Sequence, residues 1–348
     1  MPMKALKRLS DKPRDMKLVE IPEPQIPAED WIKIKVAYAG ICGSDIKMFD
    51  NDCSNKNSKL KPPVIPGHEG SGVVCQVGSL VKNVKVGDRV IYHTMVDSCG
   101  HCEYCLTGNF GLCSDRKGLG STMDGSFAEY LICPAKNAIK VPEGLPLKMA
   151  ALAEPLACSI RIIEEVGKVK RGEKVVIFGP GAIGATCAIV AKINGAIPVV
   201  VGTKHSSHRL KVLEDIGIRC IINDEKLMEN LIDYFGGLAD IAVDAVGKEA
   251  ILNQALDAVK KLGRVVIGAG DEVNTHYKVN IIKAFRWQIQ IHAACSSTPK
   301  GWYEAIKLLK ENCHYFEGIA SDEYSIDQWE DAYERARNRD SFKVMFKF

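Results

Sequence analysis

The stretch Val175 to Gly202, "VVIFGPGAIGATCAIVAKINGAIPVVVG", limits this chain more than any other, because twenty-eight nearly uncharged residues must be buried somewhere. A membrane span needs about twenty residues of unbroken apolar helix. Here Gly179, Pro180, Gly181, Gly184, Lys192, Gly195 and Pro198 interrupt it at the wrong places. The spacing instead predicts a strand at Lys174–Phe178, a tight turn, a helix from about Ala182 to Asn194 and a second strand at Pro198–Val201. Short apolar runs ended by glycine suit parallel strands covered on both faces.

The pattern continues downstream. A helical stretch at His208–Ile216 precedes "RCII" at Arg219–Ile222, and a helix at Lys226–Phe235 precedes "DIAVDAVG" at Asp240–Gly247. A helix over Ala250–Lys261 leads into "RVVIGAG" at Arg264–Gly270, and "QIQIHA" at Gln288–Ala293 closes the series. Such alternation predicts a doubly wound parallel sheet in an α/β fold.

The first turn of that sheet reads Gly179-Pro180-Gly181-Ala182-Ile183-Gly184, a G-x-G-x-x-G pattern in a chain with 30 glycines. Its position between strand and helix gives it meaning. The first glycine makes the turn, the second lets a pyrophosphate approach the backbone, and the third lets the helix pack on the sheet. The helix start then offers free N–H groups to phosphate.

Residues 30–140 have another texture. Runs such as "WIKIKVAYAG", "GSGVVCQVG" and "GDRVIYH" resemble strands of a twisted antiparallel barrel, so this is a second domain. Metal-ligand residue types gather in it. Cys42 lies in "GICGSD" and His68-Glu69 in "PGHEGSG", with Glu154 further on in "ALAEPLA". A cysteine, a histidine and a carboxylate form the mixed donor set that zinc accepts while keeping one position open. Singly, each also suits a plain structural role, as a small buried thiol, a turn histidine or a helix N-terminal acid.

Four more thiols stand in "CGHCEYCLTGNFGLC", where Cys99, Cys102, Cys105 and Cys113 are separated by two, two and seven residues. The chain has 13 cysteines and its start, "MPMKALKRLSDKPRDMKLVE", has no apolar signal core. A cytoplasmic location is therefore expected, where clustered cysteines point to metal or catalysis rather than to disulfides. With 46 Lys plus Arg against 43 Asp plus Glu and no charged block, neither nucleic acid nor an anionic membrane is expected as a partner.

In order, Cys42-Gly-Ser44-Asp45, Gly67-His68-Glu69, the four-cysteine run, "DGSFAEY" at Asp124–Tyr130, Glu154-Pro155 and Gly179-x-Gly181-x-x-Gly184 resemble the zinc-dependent medium-chain alcohol and polyol dehydrogenases. The likeness spans nearly the whole chain and is greatest for the sorbitol, threonine and butanediol dehydrogenase branch. It implies a GroES-like, β-rich catalytic domain at 1–155 and 294–348, a Rossmann domain at 156–293, and an active site in the cleft between them. The final helix of the first domain is expected at "SSTPKGWYEAIKLLKEN", with Trp302 and Tyr303 in the core, and a last strand at "FKVMFKF".

The resemblance also implies two zinc ions. A structural one is held by Cys99, Cys102, Cys105 and Cys113, with His101 left at the surface. Bacterial iron–sulfur runs use a shorter last spacing followed by proline, whereas Ser114 follows Cys113. A catalytic zinc is held by Cys42, His68 and Glu69, with Glu154 as a direct ligand or acting through water. That zinc activates the alcohol, and a nicotinamide accepts the hydride. Ser44 matches the hydroxyl that relays the alcohol's proton, Asp45 orients His68 or its loop, and Lys47 stands where many relatives have a relay histidine.

A small alcohol or polyol is the implied substrate, and a homodimer or homotetramer the implied assembly. The alternatives carried with this reading are a zinc-free quinone or enone reductase of the same superfamily, and a non-catalytic nicotinamide-sensing binding protein. NAD-dependent members carry an acid at the end of the second strand, about twenty residues past the glycines. Here Gly202-Thr203-Lys204-His205 stands there, with Arg209 nearby, so NADP is expected ahead of NAD, with Thr203 bonding the 2′-phosphate.

Overall fold

The structure is a computed structural model that describes residues 2–50, 60–270, 276–339 and 341–348. The chain divides into two compact units, one formed by Met1–Glu154 with Thr298–Phe348 and the other by Pro155–Ser297. Among the described residues no helix is long and apolar enough to cross a membrane.

The first unit is built on strand Trp31–Gly40. Glu69–Val77 pairs antiparallel along one edge, while the other edge is shared by Tyr130–Pro134 and Val344–Lys347. Arg89–Tyr92 and Ala138–Lys140 extend the sheet, and Asp322–Ser325 adds a strand parallel to the chain end. Ile32, Ile34, Val36, Val74 and Tyr92 face a core closed by Phe127, Tyr333 and Phe346. The Phe127 ring meets that of Phe346 edge-on at 5.0 Å.

The last long helix of this unit is Pro299–Glu311, and its Ser-Thr-Pro start works as expected: Thr298 accepts a hydrogen bond from the Gly301 N–H. Trp302, Ala305, Ile306 and Leu309 form its buried stripe. Tyr303 corrects the expectation. At one step past Trp302 it falls off that stripe and is 61% exposed.

The second unit holds a six-stranded sheet, every pairing in it parallel. Its order runs Arg219–Ile222, Ile197–Gly202, Lys174–Phe178, Ala239–Asp244, Val259–Ile267, Gln290–Ala293. The order turns back at Lys174–Phe178, the strand that opens into the glycine turn, as in doubly wound sheets. Val176, Phe178, Val199, Ala242 and Val265 are fully buried, which explains their unalternating apolar runs.

Several boundaries differ from expectation, two of them with a clear physical cause. The helix expected to reach Lys261 ends at Ala258, and Val259 instead enters the sheet opposite Ala239, with a register shift before Ile241. Helical periodicity could not see that Val259 is a fully buried β-branched residue. The strand expected to run to Gly247 stops at Asp244, whose carboxylate accepts the N–H groups of Val246 and Gly247, each at 2.9 Å, and turns the chain.

Candidate active site

Cys42 caps the helix Gly43–Asp50. The Asp45 N–H bonds the Cys42 carbonyl at 3.0 Å while the Asp45 carboxylate accepts the Cys42 N–H at 2.9 Å. This reciprocal bonding holds the thiol at the helix start. His68 sits in the turn just ahead of strand Glu69–Val77, and that turn needs glycine: Gly67 has φ +92°, and a Cβ there would stand 2.4 Å from the Phe127 ring.

The "DGSF" loop braces the same turn. Asp124 accepts from the Ile65 N–H at 2.8 Å, Gly125 N–H donates to the Ile65 carbonyl, and Ser126 N–H donates to Gly67 O. The motif at Asp124–Tyr130 is therefore scaffolding for His68.

These elements bring one donor atom each from Cys42, His68 and Glu69 within 4.8 Å of one another. Behind them, Asp45 Oδ1 lies 3.7 Å from His68 Nδ1, beyond hydrogen-bond reach but close enough to orient the ring by charge. With Nδ1 turned to Asp45, Nε2 is the nitrogen left for a ligand. Burial opposes a charge on His68, but Asp45, Cys42 and Glu154 outweigh it and hold its pKa well above the ordinary histidine value. Burial raises Asp45, with His68 pulling the other way.

Lys343, not singled out in the sequence, completes the arrangement. Its ammonium donates to Glu69 Oε1 at 2.7 Å and to the Ile41 carbonyl at 3.3 Å, with only 4% of the side chain exposed. Burial favours its neutral form, yet the Glu69 and Cys42 charges keep its pKa raised. The signal was a lysine inside the buried run Phe342 to Phe346, where an unpaired charge would be costly. Glu69 Oε2 is left buried without a hydrogen bond.

The donor set fits zinc: sulfur, nitrogen and oxygen converge, and one carboxylate oxygen is unsatisfied. Glu154 lies in the first turn of Ala153–Ile160, outside the close triad, although its charge is felt at His68 and Lys343. Ser44 is half-buried and Lys47 exposed on the Cys42 helix.

Cys99, Cys102, Cys105 and Cys113 form the other cluster, with sulfur atoms all within 4.8 Å. Cys99 and Cys105 are 3.9 Å apart, far beyond a disulfide bond and near the roughly 3.8 Å edge of a tetrahedron with zinc–sulfur arms of about 2.3 Å. The N–H groups of His101 and Cys102 draw the Cys99 thiol down to about 6. For Cys102, burial and the neighbouring thiols outweigh the Cys105 N–H and push it up to about 11. One thiolate forms easily and the next is resisted, a conflict that a divalent cation removes. Around them Tyr104, Leu106 and Leu112 are exposed, so this segment has little apolar core of its own. His101 is exposed, its ring 2.8 Å from the Cys99 carbonyl.

In the second unit, Gly179 (φ +102°), Pro180 and Gly181 make the turn into helix Ala182–Ile193, with Ile183 in its first turn. A Cβ on Gly184 would lie 1.8 Å from the Gly179 carbonyl oxygen, so close packing of helix on turn requires glycine. Gly202 ends the neighbouring strand, and its α-carbon backs onto Pro180. Thr203, Lys204 and His205 are exposed beyond it, while Arg209 is half-buried in helix Ser207–Asp215. The Thr203 N–H donates to Ser206 Oγ at 2.9 Å, which fixes the loop.

An all-parallel dinucleotide-type sheet in one unit and a Cys-His-Glu centre with a four-cysteine cluster in the other define a zinc-dependent dehydrogenase, and the chain belongs to the zinc-type alcohol dehydrogenase family, oxidoreductases acting on CH–OH. Residues 28–143 match the alcohol dehydrogenase GroES-like domain and residues 182–311 the zinc-binding dehydrogenase domain. The chain is 33% identical to the sorbitol dehydrogenase of Halalkalibacterium halodurans, covering 99% of this chain and 98% of the relative. It is 30% identical to the D-arabitol-phosphate dehydrogenase of Enterococcus avium, over 99% and 97%. Its structure matches the short chain alcohol dehydrogenase of Escherichia coli CFT073 in complex with NADH, with a TM-score of 0.87, 26% identity and coverage of 100% and 99%.

Proposed function

We propose that the chain oxidises a secondary hydroxyl of a polyol or related diol, reversibly, with NADP preferred to NAD. The observation that carries the chemistry is the Cys42, His68 and Glu69 triad, with its donors within 4.8 Å and its unsatisfied carboxylate oxygen. These three residues would hold the zinc, which when bound polarises the alcohol oxygen and makes its proton easier to lose.

The chain's own groups do the rest. Asp45 holds the His68 ring in place, Lys343 offsets the charge on Glu69, and the Ser44 hydroxyl takes the departing proton toward solvent. The likeness to sorbitol and arabitol-phosphate dehydrogenases supports a polyol. The four-cysteine site keeps no open position and serves folding.

In this reading residues 1–155 and 294–348 carry the alcohol chemistry and residues 156–293 the cofactor. The compact units, which break at Glu154 and Ser297, support that division of labour. The turn Gly179–Gly184 cradles the pyrophosphate. Gly202, Thr203 and Lys204 favour a 2′-phosphate because the strand end itself carries no carboxylate and the exposed Lys204 ammonium attracts it. NAD is the alternative, favoured by the relative crystallised with NADH.

The experiment is a panel of sugar alcohols, sugar phosphates, vicinal diols and amino alcohols, scored by kcat/KM with each cofactor, in the wild type and in Thr203→Asp. The expected result is an NADP preference that the substitution reverses. A wild type that favours NAD, or a ratio unmoved by Thr203→Asp, contradicts the cofactor reading.

A further inference from the structure

Arg8 ends strand Pro2–Arg8 and is only 1% exposed. A guanidinium that deep is tolerated only where its N–H groups find acceptors. Here main-chain carbonyls serve: Nε donates to Ser10 O at 2.9 Å, and Nη2 to Asp11 O at 3.0 Å and to Lys12 O at 2.9 Å. Those three belong to the turn that follows Arg8 itself. The fourth is remote, because Nη1 donates to the carbonyl of Met48, forty positions away on the Gly43–Asp50 helix that Cys42 caps.

The backbone of the same residue holds the other ligand segment. Arg8 N–H donates to Val64 O at 2.9 Å, and its carbonyl accepts the Val64 N–H at 3.0 Å, an antiparallel bridge. Val64 stands four residues ahead of His68, and the next residue, Ile65, is fastened by Asp124. Arg8 therefore grips the Cys42 helix by its side chain and the His68 segment by its main chain.

The turn that Arg8 closes also docks on the helix end. Arg14 N–H donates to the Phe49 carbonyl at 2.7 Å, and the Arg14 guanidinium is 3.2 Å from the Asp50 carboxylate. The last carbonyls of a helix lack partners within it, so donors and positive charge are favoured there. Phe49 packs against Trp329 and Tyr333 at ring separations of 6.1 and 5.0 Å, which holds the helix to the core. Apolar packing is non-directional and resists sliding along the axis weakly, whereas a planar fork on a fixed carbonyl sets the register. Met48 lies six residues past Cys42, about 9 Å along the helix, so a shift at one end is a shift at the other.

We propose that Arg8 is a positioning residue for the catalytic metal: by fixing the Cys42 helix against the His68 segment, it keeps the two ligands at chelating separation before any ion arrives. The inference rests on the reading of Cys42, His68 and Glu69 as a zinc site. A chain lacking the fork must reassemble that pair on each binding event, which lowers metal affinity without removing a ligand. The four-cysteine cluster comes from one continuous segment with its own turns and does not depend on Arg8.

The test measures zinc affinity on the full chain, stripped of labile zinc and titrated against a chromophoric chelator, with metal at this centre defined as that missing from His68→Ala. Arg8→Met is expected to bind it about 10- to 100-fold more weakly than the wild type, with the four-cysteine zinc retained. Arg8→Lys, which offers one ammonium in place of the fork, should lose about fivefold or more, the worth of one hydrogen bond, and keeps the test open if Arg8→Met fails to fold. Ile139→Ala, a buried truncation in the edge strand Ala138–Lys140, controls for lost stability and should stay within about twofold. With cobalt(II) in place of zinc, the thiolate-to-metal absorption from Cys42 should shift in the Arg8 variants and not in Ile139→Ala. Affinities within about twofold of the wild type in the Arg8 variants, or an equal loss in Ile139→Ala, would overturn the role of Arg8 alone. A wild type that binds no zinc beyond the four-cysteine cluster would overturn the zinc reading with it.

Discussion

Replacing Lys343 by methionine keeps the side chain's length and removes its charge. Lys343 Nζ and Glu69 Oε1 are 2.7 Å apart, and the two side chains are 4% and 0% exposed. At an effective dielectric of about 20 the gross attraction is about 6 kcal/mol, most of it cancelled by desolvation. Losing one partner strands the Glu69 charge, so the metal-free protein should lose about 3–5 kcal/mol. A bound cation would share that charge and reduce the loss.

The assay is urea unfolding followed by tryptophan fluorescence, which reports mainly on the first unit because it holds Trp31, Trp302 and Trp329 while the second holds Trp287. It is run with chelator and with zinc, in Lys343→Met, Glu69→Gln and the double variant. In chelator, Lys343→Met should cost about 3–5 kcal/mol alone but about 1 kcal/mol or less in the Glu69→Gln background. A cost below about 1 kcal/mol in the metal-free wild-type background, or the same cost in both backgrounds, would refute the reasoning.

Two other outcomes follow from the same geometry. Cys105→Ser should release the zinc of the four-cysteine cluster and lower the thermal midpoint by about 5–10 °C, taking a net loss of about 2–3 kcal/mol at roughly 2–4 °C each; differential scanning calorimetry with metal analysis checks it, and unchanged melting with both metals kept would contradict it. His93 is held neutral in the fold at a pKa of about 4 against about 6.5 unfolded, so the unfolded chain binds the extra proton. Its stabilising effect is present above about 6.5 and is lost as pH falls toward 4, up to about 3 kcal/mol over that window. Denaturant midpoints should fall accordingly and fall less in His93→Phe, whereas identical pH profiles would contradict the burial argument.

The parallel sheet was legible because its strands are buried on both faces, so residues such as Val175 to Phe178 appear as apolar runs ended by glycine. The donor residues were legible because their motifs are local: Cys42 in "GICGSD", His68-Glu69 in "PGHEGSG" and the four clustered cysteines between Cys99 and Cys113. Lys343 was not, since its partner Glu69 lies 274 positions away and only the sheet brings Val344–Lys347 beside Trp31–Gly40. The role of "DGSF" was hidden for a similar reason: its bonds are to Ile65 and Gly67, in another loop. The premature end of the helix at Ala258 depends on the pairing of Val259 with Ala239, which no helical period records.

The zinc proposed at Cys42, His68 and Glu69 is the one on which turnover depends, and it is separate from the four-cysteine metal. Zinc per chain in the wild type and in His68→Ala, measured by mass spectrometry on the same samples used for turnover and for dinucleotide binding, tests it most directly. The expected result is one zinc for each of the two donor clusters in the wild type, and loss of one in His68→Ala with turnover abolished and dinucleotide affinity kept. A His68→Ala protein that retains both metals and near-normal turnover would contradict it.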